Sequence, residues 1–171
     1  MKYWDEQVYN GQYGTVAGVT NTMGHLDGAT QKAYDYILKN YKKGGRVAIY
    51  GYSYGGVLAL YLEKRLEAAK IKVNFLVTVD PAAGPNTKDV KRVVSNNTDE
   101  NLNIFQTTPS AIGSYGDKNK REDDSEKGII NEIKVSYVDE NGKKQKMVHS
   151  AIDDQTTQEV IDAILKKVQK K

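Results

Sequence analysis

The segment GYSYGG at residues 51–56 contains a serine between glycines in the pattern G-x-S-x-G. This pattern is typical of a serine on a sharp turn between a strand and a helix, with its hydroxyl exposed above a sheet. The glycines are needed because the turn strains the backbone, and because side chains two residues before and after the serine would collide there. Ser53 is therefore a candidate oxygen nucleophile.

A serine hydroxyl is a poor nucleophile at neutral pH and needs a base. The chain contains two histidines, His25 and His149. Where a serine occupies this kind of turn, its partners follow in the chain order serine, acid, histidine, which favours His149 because His25 precedes the serine. We expect His149 in a loop just before the last helix, at the carboxyl edge of the sheet.

The acid that orients the histidine should leave the carboxyl end of a strand beyond the serine. Asp80 does so, since it follows the apolar run NFLVTV at residues 74–79. The alternative for Asp80 is a structural role, capping a turn before Pro81. The other candidates lie in the acidic loop after LNIFQ, which also fits a solvated surface segment, or close to His149: Asp117, Glu122, Asp123, Asp124, Asp153 and Asp154.

Apolar runs typical of strands alternate with segments of helical period along the chain, which predicts an α/β fold with a parallel sheet covered by helices. We expect one domain over residues 1–171 and a mostly parallel sheet of five or six strands. The candidate strands are residues 15–19 (TVAGV), 46–50 (RVAIY), 74–79 and 102–106, followed by a hairpin of 132–138 and 146–148 around Asn141-Gly142.

Three helices and one shorter helix complete this prediction. The first should begin near Ala29, the second should cover residues 57–69, and a short helix is expected around 88–94. In the last helix, Thr156 and Glu159 have the spacing of a capping box, so we expect that helix to begin near Thr156.

The composition excludes several kinds of chemistry. The 171 residues include no cysteine, which removes thiol nucleophiles, disulfides, thiolate zinc sites and iron–sulfur clusters. The net charge of +3 comes from mixed acids and bases, so no nucleic-acid partner is expected. The glycines fit no P-loop, and no metal or cofactor is implied.

The apolar runs are far shorter than the roughly 20 residues of a membrane span. The first ten residues do not fit a signal peptide, which favours the cytoplasm unless a leader precedes Met1.

Two segments resemble the serine lipases and esterases of the α/β-hydrolase fold. GYSYGG is similar to their G-[HY]-S-x-G-G turn, and TVDPAAGP at residues 78–85 resembles the segment in which pancreatic-type lipases and related phospholipases carry their acid. The resemblance extends over residues 16–152, although these two segments are its specific parts. It implies Ser53 as nucleophile, Asp80 as orienting acid and His149 as general base.

The chain is short for this family. One helix lies between its first clear strand and the nucleophile strand, where a full-length member usually has an additional strand and helix. The oxyanion hole should combine the amide of Tyr54 with a second amide from the loop after TVAGV, that of Thr20 or Asn21. No HGGG motif is present.

These observations predict a serine hydrolase acting on a small acyl ester. An acyl thioesterase or amidase with the same triad, and an inactive hydrolase-fold interaction module, are the alternatives. The longest candidate lid, residues 110–128, has only Ala111, Ile112 and Tyr115 as apolar members. A lipid-facing lid needs more apolar surface, so we expect soluble esters of short or medium chain length, with Tyr52 and Tyr54 lining the approach.

Overall fold

The computed structural model describes residues 26–109 and 115–168, which form an α/β fold. In chain order the elements are α1 (Leu26–Asn40), β1 (Ala48–Tyr52), α2 (Tyr54–Ala68), β2 (Phe75–Val79), a 3₁₀ helix (Gly84–Asp89), β3 (Val93–Val94), β4 (Asn101–Phe105), β5 (Lys120–Arg121), β6 (Ile129–Ile133), β7 (Ser136–Val138), β8 (Lys144–Lys146) and α3 (His149–Val168).

The main sheet has four strands in the order β1-β2-β4-β6, and every neighbouring pair is parallel. The expectation of five or six strands is therefore not met in the described residues, and the predicted strand 15–19 lies outside them. Two small sheets accompany it: β3 pairs with β5 in parallel, and β7 pairs with β8 around Asn141-Gly142 as an antiparallel hairpin.

Helices cover both faces of the main sheet, because its central strands are apolar on both sides. On one face, α1 and α2 pack over Ile49 and Leu76. On the other, α3 packs over Phe75, Val77 and Val79. Of the described helices, none is both long and apolar enough to cross a membrane.

Several predicted boundaries were wrong. The last helix begins at His149, so Thr156 is inside it and donates its hydroxyl proton to the Ile152 carbonyl instead of capping (2.7 Å). The helix expected around 88–94 is replaced by the 3₁₀ helix and β3. The strand expected over 132–138 is divided between β6 and β7, and its hairpin partner is β8, which ends at Lys146.

Candidate functional site

Ser53 lies on the turn between β1 and α2, and its backbone is strained, with φ at 55° and ψ at −124°. Its N–H donates to the Val79 carbonyl of β2 (2.9 Å), which continues the strand pairing by one residue. A Cβ at Gly51 would lie 2.2 Å from the Gly55 carbonyl oxygen, so only glycine fits there. Helix and strand therefore converge tightly on this serine.

The second glycine that this convergence requires is Gly56. A Cβ on Gly56 would lie 3.0 Å from the Pro81 side chain, whereas a Cβ on Gly55 would meet nothing within 4 Å. The expected collision at Gly55 was wrong. The turn is tight against the segment that follows β2, and position 55 faces open space.

Asp80 directly follows β2, beside Ser53, because Tyr52 pairs with Val79 in the parallel register. Its φ is 45°, and its N–H donates to the Ile104 carbonyl of β4 (2.7 Å). The residue is completely buried. A buried carboxylate needs donors, and those contacting Asp80 include His149 and two residues that no sequence motif marks, Gln106 and Gly116.

His149 connects Ser53 to Asp80. Its Nε2 lies 2.8 Å from the Ser53 hydroxyl oxygen, and its Nδ1 lies 2.7 Å from Oδ2 of Asp80. It is the first residue of α3, where a preceding loop had been expected. Its side chain is 14% exposed, so the imidazole is largely shielded while remaining reachable from solvent.

Two tyrosines of β1 hold the start of α3. The Tyr52 ring stacks on the imidazole with ring centres 5.3 Å apart, and its hydroxyl donates to the His149 carbonyl (2.6 Å). One turn further along α3, the Tyr50 hydroxyl donates to Asp153. Burial, with Asp153 and Asp80 nearby, raises the pKa of Tyr52 to about 12, so this phenol is a neutral donor. Tyr52 thus packs against the imidazole.

The other acidic candidates have different partners. Glu122 pairs with Lys64, Asp123 accepts from the Ser125 amide in a turn, and the Asp117 side chain accepts from the Lys118 amide. Asp153 is engaged with Tyr50, Asp124 lies in a turn with a φ of 57°, and Asp154 is exposed. Among the described acids, Asp80 is the one hydrogen-bonded to His149. His25, Thr20 and Asn21 lie outside the described residues.

Tyr54 is the first residue of α2. The first N–H groups of a helix have no carbonyl partner within it, and they carry the positive end of the helix dipole. The Tyr54 amide follows Ser53 directly, so it belongs to the group of donors available to a negative oxygen at this turn.

The described part of the predicted lid is bound to the rest of the protein. Asn103 of β4 donates to the Asp117 carbonyl (2.9 Å), and the Gly116 amide donates to Oδ1 of Asp80 (2.6 Å). Arg121 is buried and donates to backbone carbonyls that include those of Ser95 and Thr98. Residues 115–121 are therefore anchored by hydrogen bonds to β4, to Asp80 and to the loop after β3.

This arrangement is a hydroxyl, an imidazole and a buried carboxylate in one hydrogen-bonded chain. Such a chain can transfer the serine proton to the imidazole while the carboxylate stabilises the resulting positive charge. Within residues 26–109 and 115–168, no three histidine or acidic side chains come close enough to hold a metal ion. Comparison of the chain with protein-family models, curated proteins and solved structures finds no significant match among any of the three.

Proposed function

We propose that this protein is a serine hydrolase that cleaves carboxylic esters, with Ser53 as nucleophile, His149 as general base and Asp80 as orienting acid. One observation carries the proposal. Hydrogen bonds join the Ser53 hydroxyl to His149 (2.8 Å) and His149 to Asp80 (2.7 Å) without a break, and the serine that begins this series has a strained backbone conformation. Strain of this kind concentrates at functional sites.

In the proposed reaction, the Ser53 oxygen attacks the ester carbonyl carbon as its proton passes to Nε2 of His149. Asp80 stabilises the imidazolium, and the Tyr54 amide, with Thr20 or Asn21 as second donor, stabilises the oxyanion. The imidazolium then protonates the departing alcohol, leaving an acyl-serine. Water, deprotonated by His149, attacks this ester, and the acid is released as the serine recovers its proton.

The sequence adds support of a separate kind. GYSYGG and TVDPAAGP resemble the lipases and esterases of the α/β-hydrolase fold, and the proposed nucleophile and acid are the residues that this resemblance implies. On this proposal the protein is a small, single-domain member of that fold. The described part of the candidate lid is hydrogen-bonded to the rest of the protein, which favours a soluble ester of short or medium chain length.

The test is steady-state hydrolysis of para-nitrophenyl butyrate by the wild-type protein, Ser53→Ala and the control Ser136→Ala. Ser136 is a half-buried serine in β7. We expect turnover by the wild type and Ser136→Ala, and a loss on the order of a million-fold in Ser53→Ala. Full activity in Ser53→Ala would refute the proposal. Matched thioester and anilide substrates identify the bond that is preferred.

A further inference from the structure

The Asp80 carboxylate receives several hydrogen bonds in addition to that from His149. The backbone amides of Gln106 and Gly116 donate to Oδ1, at 3.2 Å and 2.6 Å. The side-chain amide of Gln106 donates to Oδ2 at 2.8 Å, which is the oxygen that His149 also contacts. Gln106 is 1% exposed, so solvent does not compete for this bond.

The parallel register brings Gln106 to this position. Val79 pairs with Ile104, so the residues that follow β2 and β4 meet at the carboxyl edge of the sheet. The orientation of the side-chain amide is also determined, because its oxygen accepts from the Thr108 N–H (2.5 Å). With the oxygen engaged there, the NH₂ group is the end that contacts the carboxylate.

We infer that Gln106 is a positioning residue whose side-chain amide fixes the Asp80 carboxylate against His149; this inference rests on the function proposed above. A carboxylate oxygen shared between two donors keeps one orientation, and part of its charge is neutralised by the amide. Without that amide, the backbone amides of Gln106 and Gly116 still hold Oδ1, but Oδ2 keeps only the imidazole as its donor, and in some molecules it turns away from Nδ1. In the molecules in which Oδ2 stays beside Nδ1, its charge stabilises the imidazolium more strongly.

The experiment compares kcat, KM and the pH profile of ester hydrolysis in two variants. Gln106→Met has nearly the same shape and no donor. We expect kcat to fall about 10- to 100-fold, the effect of losing a hydrogen bond to a charged group. KM should stay within about two-fold, since ester binding is not altered. The acid limb of kcat/KM should move to higher pH, because a less neutralised Asp80 favours the protonated imidazole.

Gln106→Glu separates this role from a purely structural one. It keeps the oxygen that accepts from Thr108, and its new carboxyl can donate to Asp80 only while protonated. We therefore expect its kcat to be reduced and to fall further as the pH rises. If Gln106 served only to hold Thr108, this variant would have wild-type kinetics, which would overturn the inference.

Asn74 provides the matched control. Its amide likewise accepts from a backbone N–H, that of Val47 (3.0 Å), and donates to a carboxylate, that of Asp99 (3.2 Å), but at the opposite end of β2. Asn74→Leu should lower the melting temperature and leave kcat and the acid limb unchanged. Wild-type kinetics in Gln106→Met would overturn the inference alone, whereas no ester turnover by the wild-type protein would overturn the proposed function with it.

Discussion

At the scale of single residues, backbone strain coincides with two of the three proposed catalytic positions. Among the described residues, four that are not glycine have positive φ: Ser53, Lys70, Asp80 and Asp124. Each such conformation costs about 1–3 kcal/mol. At Ser53 and Asp80 the cost is offset by backbone hydrogen bonds to the neighbouring strand, at 2.9 Å and 2.7 Å. The sheet itself therefore holds both side chains in place.

The role of Asp80 predicts a severe effect of removing its charge. Asp80→Asn should lower kcat by about 10⁴-fold, because an amide facing Nδ1 favours the wrong imidazole tautomer. Steady-state kinetics with a short-chain ester measure this effect. Asp117→Asn is the control, since the Asp117 side chain accepts from the Lys118 amide (2.7 Å). A silent Asp80→Asn together with an inactive Asp117→Asn would assign the acid to the loop after β4.

The proposed base can be identified by non-additivity. His149→Ala should lose about as much turnover as Ser53→Ala, on the order of a million-fold, and the double variant should lose no more, because the two residues act as one unit. His25→Ala should retain much of the wild-type activity. Independent, multiplying losses at Ser53 and His149, or a larger loss at His25, would contradict the assignment.

At the scale of elements, two glycines of the turn between β1 and α2 should differ in how much an added side chain destabilises the fold. Gly51→Ala places a methyl group 2.2 Å from a backbone oxygen, whereas Gly55→Ala meets nothing within 4 Å. We expect Gly51→Ala to lower the free energy of unfolding by about 3 kcal/mol or more, and Gly55→Ala to change it by less than about 1 kcal/mol. Urea denaturation measures both. Equal effects would mean that strand and helix do not converge as described.

Helix α2 also carries a buried carboxyl, Glu63, which connects it to the loop after β3. Its oxygens accept from the Ser95 amide (2.7 Å) and the Thr98 hydroxyl. Burial, opposed by these hydrogen bonds and by Arg121, raises its pKa from 4.5 to about 7. The folded protein therefore holds a proton that the unfolded chain releases between these pH values.

This difference predicts that the contribution of Glu63 to the stability of the folded protein decreases as the pH rises from about 4.5 to 7. The size of the loss is on the order of 3 kcal/mol. Glu63→Gln keeps the acceptor for Ser95 and should remove this part of the pH dependence. Glu67→Gln, which removes a half-buried partner of Lys64 on the same helix, should keep it. The measurement is the melting temperature at pH 5 and pH 8, and an unchanged pH dependence in Glu63→Gln would contradict the account.

At the scale of the whole molecule, the described part of the lid segment bears on substrate choice. In residues 115–128 the one hydrophobic residue is Tyr115, and Asn103 and Arg121 bind this stretch to the rest of the protein. We expect short and medium para-nitrophenyl esters to have the highest kcat/KM, with no jump in rate above the critical micelle concentration. A strong preference for long chains, or activity only with emulsions, would instead indicate a lipase.

The sequence predicted the parts of this fold that depend on local pattern. The alternation of apolar runs and helical segments indicated a parallel sheet with covering helices, and GYSYGG marked the turn at Ser53. The donors around Asp80 were missed, because Gln106 and Gly116 reach it through strand register and loop packing, which no local pattern encodes. The start of α3 was predicted wrongly. Thr156 and Glu159 have the spacing of a capping box, but they lie inside a helix that begins at His149.

The most direct measurement of the central claim is covalent labelling with a fluorophosphonate, which reacts with a serine hydroxyl activated by a neighbouring base. The labelled protein is digested, and the modified residue is located by mass spectrometry. We predict one adduct per chain, on Ser53, formed at a rate that falls sharply in His149→Ala. A wild-type protein that stays unlabelled, or that carries the adduct on another serine at full rate in Ser53→Ala, would contradict the proposed hydrolase.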